Sequence, residues 1–162
     1  MRAVGLAAMI VVALAAAGRA QQVPFGATHD ASQPVEITSD RLDLDQAAGT
    51  AVFSGTVRVG QGELRLAADR VEVFYDEGGA QAGTVRRMIA TGNVTLSNGA
   101  EAAEAERATY EVATGLVEME GDVLLTQGRN ALSSERLSVD LNAGTGRLEG
   151  RVQTIFVPGA AP

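Results

Sequence analysis

An acidic residue followed by arginine, and further on a Gly-x-Val, recurs along this chain and limits its fold more than any other feature. The starts are Asp40-Arg41-Leu42, Asp69-Arg70-Val71, Glu106-Arg107-Ala108 and Glu135-Arg136-Leu137. The ends are Gly55-Thr56-Val57, Gly92-Asn93-Val94, Gly121-Asp122-Val123 and Gly150-Arg151-Val152. From Arg to Gly the spacing is 14 residues in the first, third and fourth copies and 22 in the second, which carries an insertion around residues 77–83. Matching starts lie 29, 37 and 29 residues apart. Repeats of this length are supersecondary units that cannot bury an apolar face alone, so neighbours must stack and share one core.

Within each copy the apolar residues alternate with polar ones. Leu42 and Leu44 alternate with Asp43 and Asp45, and Phe53, Gly55, Val57 and Val59 alternate with Ser54, Thr56 and Arg58. The later copies repeat this with Val71, Val73 and Tyr75, then Met88 to Leu96; Tyr110 and Val112, then Val117 to Leu125; and Leu137 to Leu141, then Leu148 to Val152. A period of two is that of a half-buried strand. Glycine stands between the two strands of a copy at Gly49, Gly115 and Gly144, and further turns at Gly60-Gln61-Gly62, Asn98-Gly99 and Gln127-Gly128 join the copies. Each copy therefore reads as a hairpin, and the class is all-β. The one helix-like stretch by composition, Ala100 to Ala108, runs into a repeat start and is read as strand and turn.

Such hairpins can bury their apolar face as a two-layer sandwich or as a stack of V-shaped turns whose arms face each other. Near-equal copies with one face pattern favour the stack. The inward residues are Val, Leu, Met and Ala, and the chain has only six aromatic residues, four Phe and two Tyr, to fill a wide core. Either the interior is a closed core of small aliphatic side chains, or the layers splay along one edge into an apolar groove.

The ends read differently. Residues 1–20 put Arg2 before an apolar run from Ala3 to Ala17 and a small-residue exit at Gly18-Arg19-Ala20, the pattern of a secretory signal peptide cleaved near Ala20, with Ala17 as an alternative site. The expected organisation is then a flexible segment over 21–34, one β domain over 35–157 and a short tail over 158–162. Without Arg2 and Arg19 the 13 basic residues fall to 11 against 20 acidic ones. An exported chain near −9 has no basic footprint for nucleic acid or an anionic membrane. With no cysteine, the domain must be held by its core and backbone ladders.

Enzymatic chemistry finds little to work with. The lone histidine, His29, lies in a Gly/Ala/Ser-containing N-terminal tail and there is no cysteine, so a His-based triad or a multi-histidine metal site within one chain is not expected. Carboxylates such as Asp43, Asp45, Glu101, Glu104 and Glu106 fall on outward positions or turns, which fits a solvated face rather than a glycosidase pair. Arg41, Arg70, Arg107 and Arg136 read as a structural ladder, and a single Gly78-Gly79 does not make a calcium-binding β-roll. The expectation is a protein that is not an enzyme and takes no cofactor or metal.

The run Gln33-Pro34-Val35-Glu36-Ile37-Thr38-Ser39-Asp40 is followed by Phe53-Ser54-Gly55-Thr56-Val57 and by Gln61-Gly62 with Leu66-Ala67-Ala68-Asp69-Arg70. Next come Ala90-Thr91-Gly92-Asn93-Val94 and Gly121-Asp122-Val123-Leu124-Leu125. Over residues 33 to about 152 this order resembles the OstA-like family. The resemblance implies a stacked antiparallel β-jelly roll of four hairpin repeats, open at both ends. It also implies a periplasmic carrier of lipopolysaccharide, bridging an LptC-like inner-membrane protein and an LptD-like outer-membrane protein, with head-to-tail self-association. Interior positions at which the family touches lipid correspond to Val35, Ile37, Tyr110 and Val112, with Leu96 near another. Face parity adds Phe53, Met119 and Leu125 to the expected groove, with a plain core role as their alternative. The joining edges are expected at Val35, Glu36 and Ile37 and at Val152, Thr154 and Phe156, because an edge strand leaves backbone groups that accept another strand. The alternatives are an exported structural or adhesive repeat protein that binds no lipid, and an accessory adaptor of the LptC type.

Overall fold

A computed structural model describes residues 21–25, 30, 32–76 and 83–158. The expected signal peptide, His29 and most of the second-copy insertion lie outside the described residues. Among them there is no helix, only one antiparallel sheet of 11 strands. The strands are β1 (Gln21–Pro24), β2 (Glu36–Thr38), β3 (Arg41–Asp45), β4 (Thr50–Gln61), β5 (Leu64–Tyr75), β6 (Val85–Asn98), β7 (Glu101–Glu111), β8 (Leu116–Gln127), β9 (Asn130–Asp140), β10 (Thr145–Glu149) and β11 (Gln153–Ile155). They pair in the order β1-β10-β9-β8-β7-β6-β5-β4-β2, with β3 also on β4 and β11 also on β9. Residues 101–108, helix-like by composition, lie in β7, where neighbouring strands on both sides override propensity.

The repeated acid-Arg pair does not open the long strands, as its place in the repeat suggests; it lies in the middle of them, at a corner. In β5, Asp69 and Arg70 are both exposed between buried Ala68 and Val71. Glu106-Arg107 in β7 and Glu135-Arg136 in β9 show the same pattern. Two consecutive outward residues break the strand's alternation, and that is where the strand bends. On the neighbouring strand the Gly-x pair supplies an extra residue: the β4–β5 register passes from Ser54 opposite Arg70 to Val57 opposite Ala68, so Gly55 and Thr56 together face Asp69. Such a bulge bends its strand and sharpens its twist. Both residues of each pair have positive φ, from +84° at Gly121 to +40° at Arg151.

The first residue of each pair must be glycine for a second reason. A Cβ on Gly121 would stand 2.6 Å from Glu106 Oε2, and one on Gly92 would stand 2.4 Å from Asp69 Oδ2. The acid of each copy lies over the corner glycine of the same copy. Asn93 Nδ2 donates to Asp69 Oδ2 at 2.8 Å, and Arg151 Nε donates to Glu135 Oε1 at 2.8 Å. Acid and glycine recur together because they are the two sides of one corner.

The corners divide the sheet into two arms. One arm carries β1, β3, β10 and residues 50–54, 70–75, 85–91, 107–111, 116–120 and 136–140; the other carries β2, β11 and residues 57–61, 64–67, 94–98, 101–104, 123–127 and 130–134. Their apolar faces close on one another, with Val71, Val73, Leu137 and Leu148 from the first arm and Val57, Leu96, Leu125 and Leu132 from the second in one core. The stack of V-shaped turns, rather than two separate sheets, is the arrangement adopted.

The N-terminal segment departs from expectation where it is described. Over 21–34 a flexible segment was expected, but Gln21–Pro24 forms β1 on the edge of β10, and Phe25 is fully buried in the core. Four residues give a local pattern too short to read as a strand; the exposed edge of β10, remote in sequence, supplies the ladder that makes them one.

Candidate functional site

Between the arms runs a narrow apolar slot. Its walls come from both arms and include Val59, Leu66, Leu96, Met88, Tyr110 and Val117. The cavity measures about 20 Å³, room for roughly one water. The interior around this slot is thus close-packed.

Polar contacts span the mouth of the V, opposite the corners. Tyr110 Oη of β7 donates to Gln61 Oε1 of β4 at 3.2 Å, and Gln61 Nε2 donates to the Gln33 carbonyl at 3.0 Å. Near the C-terminal end of the sheet, Gln127 Nε2 of β8 donates to the Pro24 carbonyl of β1. Gln61 and Asn98 are buried amides. Gln61, Asn98 and Gln127 each precede a turn glycine, Gly62, Gly99 and Gly128. In the sequence they read as turn residues only, although an amide recurs before each of these glycines.

Burial raises the ionisation of the Tyr110 phenol above its ordinary value of 10.0. The folded state therefore holds this proton more tightly than the unfolded chain does. That contribution is complete below the unfolded value and is lost as pH rises through the folded one. Alkaline denaturation beginning above about pH 10 should thus contain a component that Tyr110→Phe removes, at a neutral-pH cost of about 1 kcal/mol for the lost hydrogen bond. Urea titrations of both proteins at neutral and alkaline pH measure it; parallel pH dependences would show that Tyr110 contributes nothing.

The residues expected in a groove fall into three groups. Leu96 and Tyr110 line the slot. Met119 and Leu125 are fully buried in the core, and neither stands among the slot's lining residues. Val35, Ile37, Phe53 and Val112 are half-buried and pack against the core from its margins. Val59, Leu66, Met88 and Val117 were not singled out for the slot, though all but Leu66 share the inward parity read along their strands.

At the ends of the stack, equivalent positions part company. The valine of Gly-x-Val is buried at Val57, Val94 and Val123, yet Val152 is 36% exposed. The pair after the acid-Arg start is buried at Val71 and Val73, at Ala108 and Tyr110, and at Leu137 and Val139. In the first copy the same pair, Leu42 and Leu44, is 47% and 58% exposed, although Leu42 stands opposite Phe53 and Leu44 opposite buried Ala51. These side chains face the interior, but among the described residues no rung beyond them covers it. Ile155 and Phe156, at and just past β11, are also exposed, at 68% and 71%. Of the expected joining residues, Glu36 and Ile37 lie in β2, with Val35 just before it, and Thr154 lies in β11 between Val152 and Phe156. β2 and β11 are edges of the second arm alone; the first arm ends on β3 and β1, which sequence reasoning did not identify as edges.

Known proteins of this kind match the chain in sequence and in fold. Residues 36–145 match the family described as LptA/(LptD N-terminal domain) LPS transport protein. An uncharacterized protein of Rhizobium meliloti is 29% identical over 121 residues, covering 72% of this chain and 65% of its own length. The lipopolysaccharide export system protein LptA of Escherichia coli K12 is 39% identical over 61 residues, 37% of this chain and 33% of that protein. The LPS-assembly protein LptD of Vibrio cholerae is 30% identical over 93 residues, 57% of this chain and 11% of LptD. The matched regions thus span less than two thirds of these relatives. The crystal structure of LptH, the LptA homologous periplasmic component of the lipopolysaccharide transport device from Pseudomonas aeruginosa, superposes with a TM-score of 0.70 at 20% identity, over 80% of this chain and 99% of that one. With two thirds of its length matched by the family, its corner-folded sheet and its LptH-like fold, the chain belongs to the LptA/LptD N-terminal domain family of LPS transport proteins.

Proposed function

We propose that this protein is a periplasmic carrier that takes the acyl chains of lipopolysaccharide between its two arms and passes the lipid along a head-to-tail row of copies. The row links an LptC-like protein of the inner membrane to an LptD-like protein of the outer membrane. The observation that carries this reading is an apolar interior that runs the length of the sheet and is left uncovered at its β3 end, at Leu42 and Leu44. A carrier with more acidic than basic residues does not hold an anionic glycolipid by net charge, so acyl burial must provide the affinity. Each buried methylene contributes about 0.8 kcal/mol. Side chains of Val, Leu and Met on both walls offer such burial without one deep pocket, which suits a lipid that has to move on. Entry requires the mouth to open, and the Tyr110–Gln61 hydrogen bond is one of the contacts to break, with that of Gln127 to the Pro24 carbonyl. The chain's role is binding and transfer rather than catalysis.

A photoreactive residue at position 110, irradiated in the presence of lipopolysaccharide, tests the reading. The expected result is a crosslinked adduct that free lipid A competes away. No adduct there, nor at positions 35 or 96, would mean that the interior stays closed, and the protein would then be a structural repeat without lipid.

A further inference from the structure

The two ends of the first arm are not equivalent. At one end lies β3, with Leu42 and Leu44 facing an uncovered interior. At the other end the corresponding edge, on β10, is already taken: β1 pairs along it from Gln21 opposite Leu148 to Pro24 opposite Thr145. Phe25 follows, donating its N–H to the Gly144 carbonyl at 3.0 Å and burying its side chain fully.

The repeat tells which strand would otherwise stand there. The half-strand that follows each acid-Arg corner packs on the preceding strand in a fixed register: Arg70 opposite Ser54, Arg107 opposite Thr91, Arg136 opposite Glu120. The next residue then stands opposite Phe53, Ala90 or Met119. Continued one rung past β10, this rule sets Arg41 of a second copy opposite Glu149, Leu42 opposite Leu148, Asp43 opposite Arg147 and Asp45 opposite Thr145. β3 and β10 are both five residues long, so every position finds a partner. The outward pairs are then Arg41 with Glu149 and Asp43 with Arg147, both of opposite charge. The nearest equivalent inside the chain is already an ion pair, Arg136 Nη2 to Glu120 Oε1 at 2.8 Å.

We propose that β1 is a self-cap, holding the edge of β10 until a second copy docks and its β3 displaces β1, with Arg41–Glu149 and Asp43–Arg147 setting the register of the joint. This rests on the head-to-tail reading above and adds what restrains the joint and what aligns it. β1 is four residues long against five for β3, so the exchange gains one backbone position, two charge pairs and a cover for Leu42 and Leu44. A free edge in a protein built to join edges needs such a cover to remain monomeric until it is used.

Sedimentation analysis of the chain from Gln21 and of one starting at Pro24, which lacks most of β1 but keeps Phe25, tests the cap. The shorter chain should self-associate at about tenfold lower concentration or less. In that shorter chain Arg41→Glu and Glu149→Arg, both exposed in the monomer, should each weaken association roughly threefold to tenfold, and together should restore it. Equal association of the two lengths would overturn the cap and leave head-to-tail joining standing. Charge reversals without effect, or without mutual rescue, would overturn the register. Association in none of these proteins would overturn the self-cap and the head-to-tail reading together.

Discussion

Leu137→Ala should lower stability by about 2–5 kcal/mol, whereas Leu42→Ala, at the same place in the repeat, should cost less than about 1 kcal/mol. Leu137 is fully buried, between Met119 of β8 and Leu148 of β10 in the sheet. Removing its branched end leaves a void that rigid neighbouring strands cannot close. Leu42 faces the same interior, but it is 47% exposed and, among the described residues, has a neighbouring strand only on the β4 side. Its truncation leaves no cavity. Urea denaturation of both variants at low protein concentration measures the difference. A cost at Leu42 as large as that at Leu137 would show that the end of the stack is covered in solution, which would contradict an open end in the monomer.

Gly121→Val should be destabilising by about 2–5 kcal/mol, through two effects that reinforce each other. The backbone at Gly121 has φ +84°, a region that a β-branched residue avoids. The new Cβ would also meet Glu106 Cβ at 2.8 Å, and that atom is fixed to the β7 backbone, so the strand itself must move. Gly99→Ala separates the two effects: φ is +65°, but nothing lies within 4 Å of the added atom. It should cost about 1 kcal/mol, the backbone effect alone. Equilibrium unfolding measures both, and amide exchange should show the Gly121 loss concentrated at the β7–β8 corner. If the two variants were equally destabilised, the close packing of acid over glycine would not be what specifies the corner.

Alternation of apolar and polar residues, which is local, determined that the chain is all-β and which side chains point inward along most of the strands. Leu96 and Tyr110 could be placed in the interior on that basis together with the family resemblance. The glycines between strands were legible for the same reason, since a turn is made by residues adjacent in sequence. The repeat was also legible, but not its meaning: Asp69-Arg70 reads as the start of a unit, and only pairing with Gly92-Asn93 on one side and Gly55-Thr56 on the other makes it a corner. The width of the interior was likewise decided by the tertiary structure, because the angle at which two arms close depends on every bulge along the corner and not on any one side chain. The same holds for β1. Residues 21–24 carry no strand pattern of their own, and they become a strand because β10, more than a hundred residues later, ends the stack with backbone groups that still require partners.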